Sequence, residues 1–264
     1  MAPLGWLAIA LWVAGIFQLV RNVRGGFTRA QARHVVLLGS AAILWWSTSS
    51  SFARASMNSL PRHMLMHILV MFLVPLGLVT SGLSGDLRRM RGASTAPRGS
   101  WNETIGPLLA CVTLNAVMVI SHLPTVFNWA MSSMTIYHWV VEPAFLFSGW
   151  WFFTFIVNAP GRDVISRLRI QLLMLLVTMA EMFILAMSMS IFTKASWYAM
   201  NMGMTTGVGQ IAFHEQQLGA AILWVCGDFW AVPLVVLVIR RVAARDGSVL
   251  GSVERYARES FVGS

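Results

Sequence analysis

The sequence predicts an all-α membrane protein, a bundle of about seven transmembrane helices with its N-terminus outside and its C-terminus in the cytoplasm. Three observations predict it. Apolar residues fill 57% of the 264 positions and charged ones only 11%, against about 25% charged in soluble domains. Apolar runs follow one another along the whole chain, most near the roughly 20 residues that cross a hydrocarbon core about 30 Å thick. Arginine clusters occupy every second connection between the runs.

The first run, near 3–21, lacks the basic leader and small-residue cleavage site of a secretory signal and reads as a helix. The second, near 34–51, is the shortest and ends in the polar stretch Ser47, Thr48, Ser49, Ser50 and Ser51. The others lie near 63–83, 103–122, 137–158, 168–192 and 215–239. No stretch between them can form a separate soluble module, so 1–264 reads as one transmembrane domain. The polar segment 85–100, with its Gly and Pro, reads as an exposed loop, as does the tail from Ala243.

Basic residues are retained on the cytoplasmic side, which orients the bundle. One set of connections carries Arg21, Arg24, Arg29 and Arg33, then Arg88, Arg89, Arg91 and Arg98, then Arg162, Arg167 and Arg169, then Arg240, Arg241 and Arg245. The opposite set offers Arg54 and Arg62, no charge between His122 and His138, and Lys194 alone before His214. The net charge of +9 is therefore a topology signal and does not point to nucleic acid. Cys111 and Cys226 both lie inside apolar runs, which excludes a disulfide framework and a CxxC metal motif and suits buried structural thiols.

That topology collects five of the six histidines at the outer face. His63 and His67 open the third span, His122 closes the fourth, His138 opens the fifth and His214 opens the seventh; only His34 falls at the cytoplasmic end. Residues four apart share a helix face at about 5–6 Å between Cβ atoms, so His63 and His67 can share a metal ion. His138 and Glu142 repeat the spacing, and Glu215 follows His214 directly. His63, His67, His122, His138, His214, Glu142 and Glu215 are the candidate ligands. His63 and His67 form the expected core, and His214, after a long Gly/Met-rich loop, reaches it only when that loop closes.

Imidazole suits copper, zinc or iron, whereas thioether selects Cu(I). The outer segments hold Met57, Met64, Met66, Met131 and Met134, and Met200, Met202 and Met204 form a Met-x-Met-x-Met array. In an extended segment that array puts its thioethers on one side, a candidate transient dock for Cu(I). Within the membrane, Glu181 and Asp228 fall near the centres of the sixth and seventh spans. Each costs about 2.5–3.5 kcal/mol in lipid and is expected to face the interior, where Asn115 is a candidate partner and the two acids could line an intramembrane path.

Four blocks carry a resemblance to a known family. They are Arg62-His63-Met64-Leu65-Met66-His67 with Pro75 in the same span; Ser121-His122-Leu123-Pro124; His138-Trp139-Val140-Val141-Glu142-Pro143 leading into Gly149-Trp150-Trp151; and Glu215-Gln216-Gln217-Leu218-Gly219 with Trp224. Over roughly 50 to 240 the chain resembles the CtaG-type seven-helix assembly factors of cytochrome c oxidase. Glu215 stands where that family is expected to have Asp, Ala220 where it is expected to have Gly, and Asp228 is not part of its expected pattern. The resemblance implies a multi-pass protein of the bacterial plasma membrane that matures a haem-copper oxidase at its copper centre. The expected partners are an oxidase subunit, membrane lipid and a copper chaperone.

The leading expectation is thus a non-enzymatic assembly factor that binds copper, as Cu(I), at its outer face and assists its delivery to the oxidase. No nucleophile triad, phosphate loop or redox thiol pair argues for catalysis. Two rivals stand beside it: a copper or cation transporter using Glu181 and Asp228, and a heme-binding electron carrier using paired histidines as axial ligands.

Overall fold

The computed structural model describes residues 2–21, 29–83, 100–157, 164–200, 209–210 and 213–246. Its helices are α1 (Pro3–Arg21), α2 (Arg29–Ser47), α3 (Ser50–Met57), α4 (Leu60–Thr80), α5 (Ser100–His122), α6 (Pro124–Met131), α7 (Met134–Val157), α8 (Val164–Ser190) and α9 (Phe213–Asp246). The two-residue strands β1 (Ala199–Met200) and β2 (Gly209–Gln210) pair antiparallel between α8 and α9.

Among the described residues, five helices are long and apolar enough to cross a membrane: Leu60–Thr80, Ile105–His122, Met134–Val157, Leu168–Ser190 and Phe213–Arg240. A sixth candidate is bent by 57°, between Gln31–Ser47 and Ser50–Met57, while Pro3–Gln18 is a shorter apolar helix. The multi-pass helical architecture stands, with five or six candidate spans where about seven were expected.

The bend replaces the expected continuous span at 34–51, and the serine run explains it. Ser47 Oγ and Thr48 Oγ1 donate to the Leu44 carbonyl at 3.1 and 2.7 Å, and Ser49 Oγ donates to that of Trp46 at 2.7 Å. These hydroxyls satisfy the last carbonyls of α2, and Ser49 then caps α3 by accepting from Phe52 N–H at 3.4 Å.

The central helix is α4, 67% buried over its apolar window and packed on α2, α7 and α9. It widens into a π-helical turn at Ile68–Leu73, and α7 does the same at Tyr137–Val141. Each wide turn ends two residues before a proline, Pro75 or Pro143. Proline supplies no N–H and crowds the carbonyl four residues back, and a locally widened turn relieves that crowding. The Met71 carbonyl, four before Pro75, lies directly against Gly149 of α7, where an added Cβ would overlap it and come within 2.9 Å of Pro75 Cγ. Glycine is thus what lets α7 close on α4. Below this contact Trp230 stacks on Phe72 at 4.7 Å and meets Phe153 edge-on at 5.5 Å, forming an aromatic floor in the bundle.

A buried histidine pocket at one end of the bundle

The start of α4, the end of α5 and the start of α7 meet at one end of the bundle. His63, His67, His122 and Glu142 are buried there, none more than 1% exposed. His67 is the centre of the group. Its ring lies 4.3 Å from that of His63, 4.8 Å from that of His122 and 4.1 Å from Phe145, centroid to centroid. Phe127 and Tyr137 close the far side of His63 at 5.0 and 6.0 Å.

The hydrogen bonds assign the His122 tautomer. Nδ1 lies 2.7 Å from the Met118 carbonyl, and a carbonyl only accepts, so Nδ1 carries the proton and Nε2 keeps its lone pair. That lone pair meets Met64 Sδ at 3.3 Å. Neither atom brings a proton to the contact, so two electron-pair donors face each other inside a buried pocket. Nδ1 of His63, both ring nitrogens of His67, the Tyr137 hydroxyl and Glu142 Oε1 are also buried without a hydrogen-bond partner. Native interiors leave few polar atoms unpaired, and such a concentration calls for an explanation.

The arrangement suits a soft monovalent ion in its donor types: imidazole nitrogens and a thioether. Among the described residues no three His, Cys, Asp or Glu side chains already form a metal-holding group. The rings of His63 and His67 instead pack edge to face at 78°, so coordination by both requires rotation of at least one ring.

Beside the trio, His138 Nδ1 lies 3.1 Å from Glu142 Oε2, with side-chain exposures of 15% and 0%. The Tyr137 ring links this pair to the trio, 5.6 Å from His138 and 6.0 Å from His63. A strap, residues 191–200, follows α8 and passes over Phe127. Tyr198 packs against Phe127 at 4.2 Å with the rings tilted by 39°, and donates from its hydroxyl to the His122 carbonyl at 3.0 Å. Burial pushes this phenol above its usual range, which keeps it protonated as a donor. Gln216 of α9 fixes the strap by accepting from Trp197 N–H and donating to the Met189 carbonyl, both at 2.7 Å.

A family model described as cytochrome c oxidase caa3 assembly factor (Caa3_CtaG) matches residues 10–245. The chain belongs to that family. No curated protein and no solved structure matches it.

Of the residues expected at the site of this assembly factor, His63, His67 and His122 are in mutual ring contact or share a neighbour, and His138 with Glu142 flanks them. His214 and Glu215 are not brought in. On α9 the buried face is Gln216, Gly219, Ala220 and Leu223, whereas His214 is exposed and Glu215 half-buried. The helical register, one face at i, i+3, i+4 and i+7, carried that signal, and it selects Gln216 over its neighbours. Met202 and Met204 lie outside the described residues, as do the side chains of Met200, Cys226 and Asp228. Cys111 is buried and unbridged. Both carboxyl oxygens of Glu181 are buried without a partner. Asn115 bonds instead to Thr178 Oγ1 at 3.2 Å, one turn away on α8. Sequence reasoning missed Met64 as a neighbour of His122, together with Tyr137, Gln216 and Tyr198.

Proposed function

We propose that this caa3 oxidase assembly factor holds Cu(I) as cargo between His63, His67, His122 and Met64 and assists its delivery to a haem-copper oxidase subunit. In this reading the histidine end faces outward from a bacterial plasma membrane, the arginine clusters face the cytoplasm, and the chain is one seven-pass bundle with no catalytic step of its own. A copper chaperone is the natural donor. The observation that carries the reading is the unpaired lone-pair chemistry of a buried pocket: His122 Nε2 against Met64 Sδ at 3.3 Å, beside a His67 ring whose nitrogens have no hydrogen-bond partner in the protein. A purely structural core would gain by replacing such groups with apolar ones.

Ring centroids 4.3 to 4.8 Å apart leave no slot for a porphyrin between imidazoles, which favours an ion over heme. The test is oxidase maturation. Cells whose own copy is replaced by a His67→Leu variant should assemble the oxidase with less copper per complex, at normal levels of the assembly factor in the membrane. Full copper occupancy in those cells would refute the reading. The transporter rival draws on the unpaired carboxyl of Glu181; time-dependent copper uptake into vesicles, lost in Glu181→Gln, would favour it.

A further inference from the structure

A buried pocket that takes up and releases an ion needs a route to the surface, and among the described residues Phe127 and Tyr198 close the pocket where the strap crosses it. Phe127 and Tyr198 are 1% and 0% exposed and cover the trio from that side. Where the α2–α3 elbow faces the first turns of α7 there is a cavity of about 330 Å³. Its walls include Thr48, Ser49, Ser50, Met134, Thr135 and His138.

His138, one of these wall residues, belongs to a pair with the form of a metal-handling group. If His138 Nδ1 donates its proton to Glu142 at 3.1 Å, Nε2 is left with the lone pair on a residue that lines the cavity. A carboxylate that orients a histidine through its second nitrogen is the usual support of a metal-binding imidazole. Ionised, Glu142 would bring a counter-charge to a fully buried position, where a bare cation would be costly. Its Oε1 is buried and unpaired, and so is the hydroxyl of Tyr137, five residues earlier on α7. From Tyr137 the next ring inward is that of His63. The π-helical turn at Tyr137–Val141 places these groups side by side along α7.

We propose that this cavity is the port through which Cu(I) exchanges between an outside donor or acceptor and the histidine pocket, with His138, which lines it, and Glu142, buried behind His138, as the transfer pair. This rests on the copper reading of the pocket. No bond other than metal–ligand bonds changes. The ion passes from the ligands of its donor to His138, beside Glu142, and is then taken over by the imidazoles of His63, His67 and His122.

The experiment separates route from site. In a Cys111→Ala, Cys226→Ala background, Thr135→Cys is coupled to a bulky methanethiosulfonate, and Cu(I) loading and loss are followed by exchange with a chromophoric Cu(I) chelator. Blocking the port should slow both rates at least 10-fold and leave the equilibrium affinity unchanged, since a barrier is raised and the end states are not. The same label at Ser132 is the control and should change neither. A copper-free readout uses His138→Cys, which should react with a water-soluble thiol reagent and be shielded by Thr135→Trp. Unchanged rates after complete labelling at 135, or an unreactive cysteine at 138, would overturn the port and leave the pocket standing. Failure of the unmodified protein to bind Cu(I) would overturn both.

Discussion

Replacing His67 by leucine should make the metal-free protein more stable. Both ring nitrogens of His67 are buried without a partner, and each such group costs about 1–3 kcal/mol in lost hydrogen bonding. Leucine removes that cost at similar volume and forfeits the edge contact with Phe145 at 4.1 Å, worth about 0.5–1.5 kcal/mol for an aromatic pair. The balance is a gain of about 2 kcal/mol, or roughly 4–8 °C in the unfolding midpoint of a chain this long. With Cu(I) at 100 times its dissociation constant the order should reverse. The wild type then gains about 2.7 kcal/mol from the bound ion, and the variant gains nothing. Thermal unfolding of both proteins in detergent, with and without Cu(I), measures the crossing. A variant less stable than wild type without copper would refute the reasoning, because the imidazole would then be contributing to the core.

Gly149→Ala should destabilise the fold by about 1–3 kcal/mol, the usual range for overpacking, because the new methyl meets the Met71 carbonyl; a lowered midpoint with unchanged metal stoichiometry in the surviving folded fraction is expected. Gln216→Ala removes the two 2.7 Å bonds that hold the strap and should increase protease cleavage near Trp197 while the helical circular dichroism is retained. A cysteine at Ser132 in a thiol-free background should be labelled by a membrane-impermeant reagent on intact cells; labelling only after the membrane is opened would invert the topology.

Much of this arrangement is legible along the chain, and the losses have physical causes. His63 with His67, and His138 with Glu142, are local pairs that helical periodicity places on one face, and the alternation of arginine clusters assigns both pairs to one end of the bundle. His122 joins them because it closes a span that the same alternation runs in the opposite direction. Met64 was visible only as one of many methionines: its contact with His122 crosses 58 positions of sequence, and no local rule reaches that far. His214 lies on the exposed side of α9, because closeness to a helix end does not decide which face is buried. The wide turns before Pro75 and Pro143 were not read, although two prolines inside apolar runs mark backbone that must deviate. In the sequence the serine run after Trp46 is only polarity at a span end, yet its hydroxyls bond backward to carbonyls where the helix breaks.

The central claim, that the buried trio and Met64 hold Cu(I), is tested most directly by competition with a Cu(I) chelator in folded, detergent-solubilised protein, combined with X-ray absorption of the bound ion. Wild type should bind one Cu(I) per chain with nitrogen and sulfur neighbours. Met64→Leu should lose the sulfur signal and weaken binding about 10-fold or more, as supporting residues of metal sites already cost 10–100-fold when changed. The His63→Ala, His67→Ala double variant should lose tight binding altogether. An unchanged affinity in that double variant, with the helical fold intact, would contradict the account.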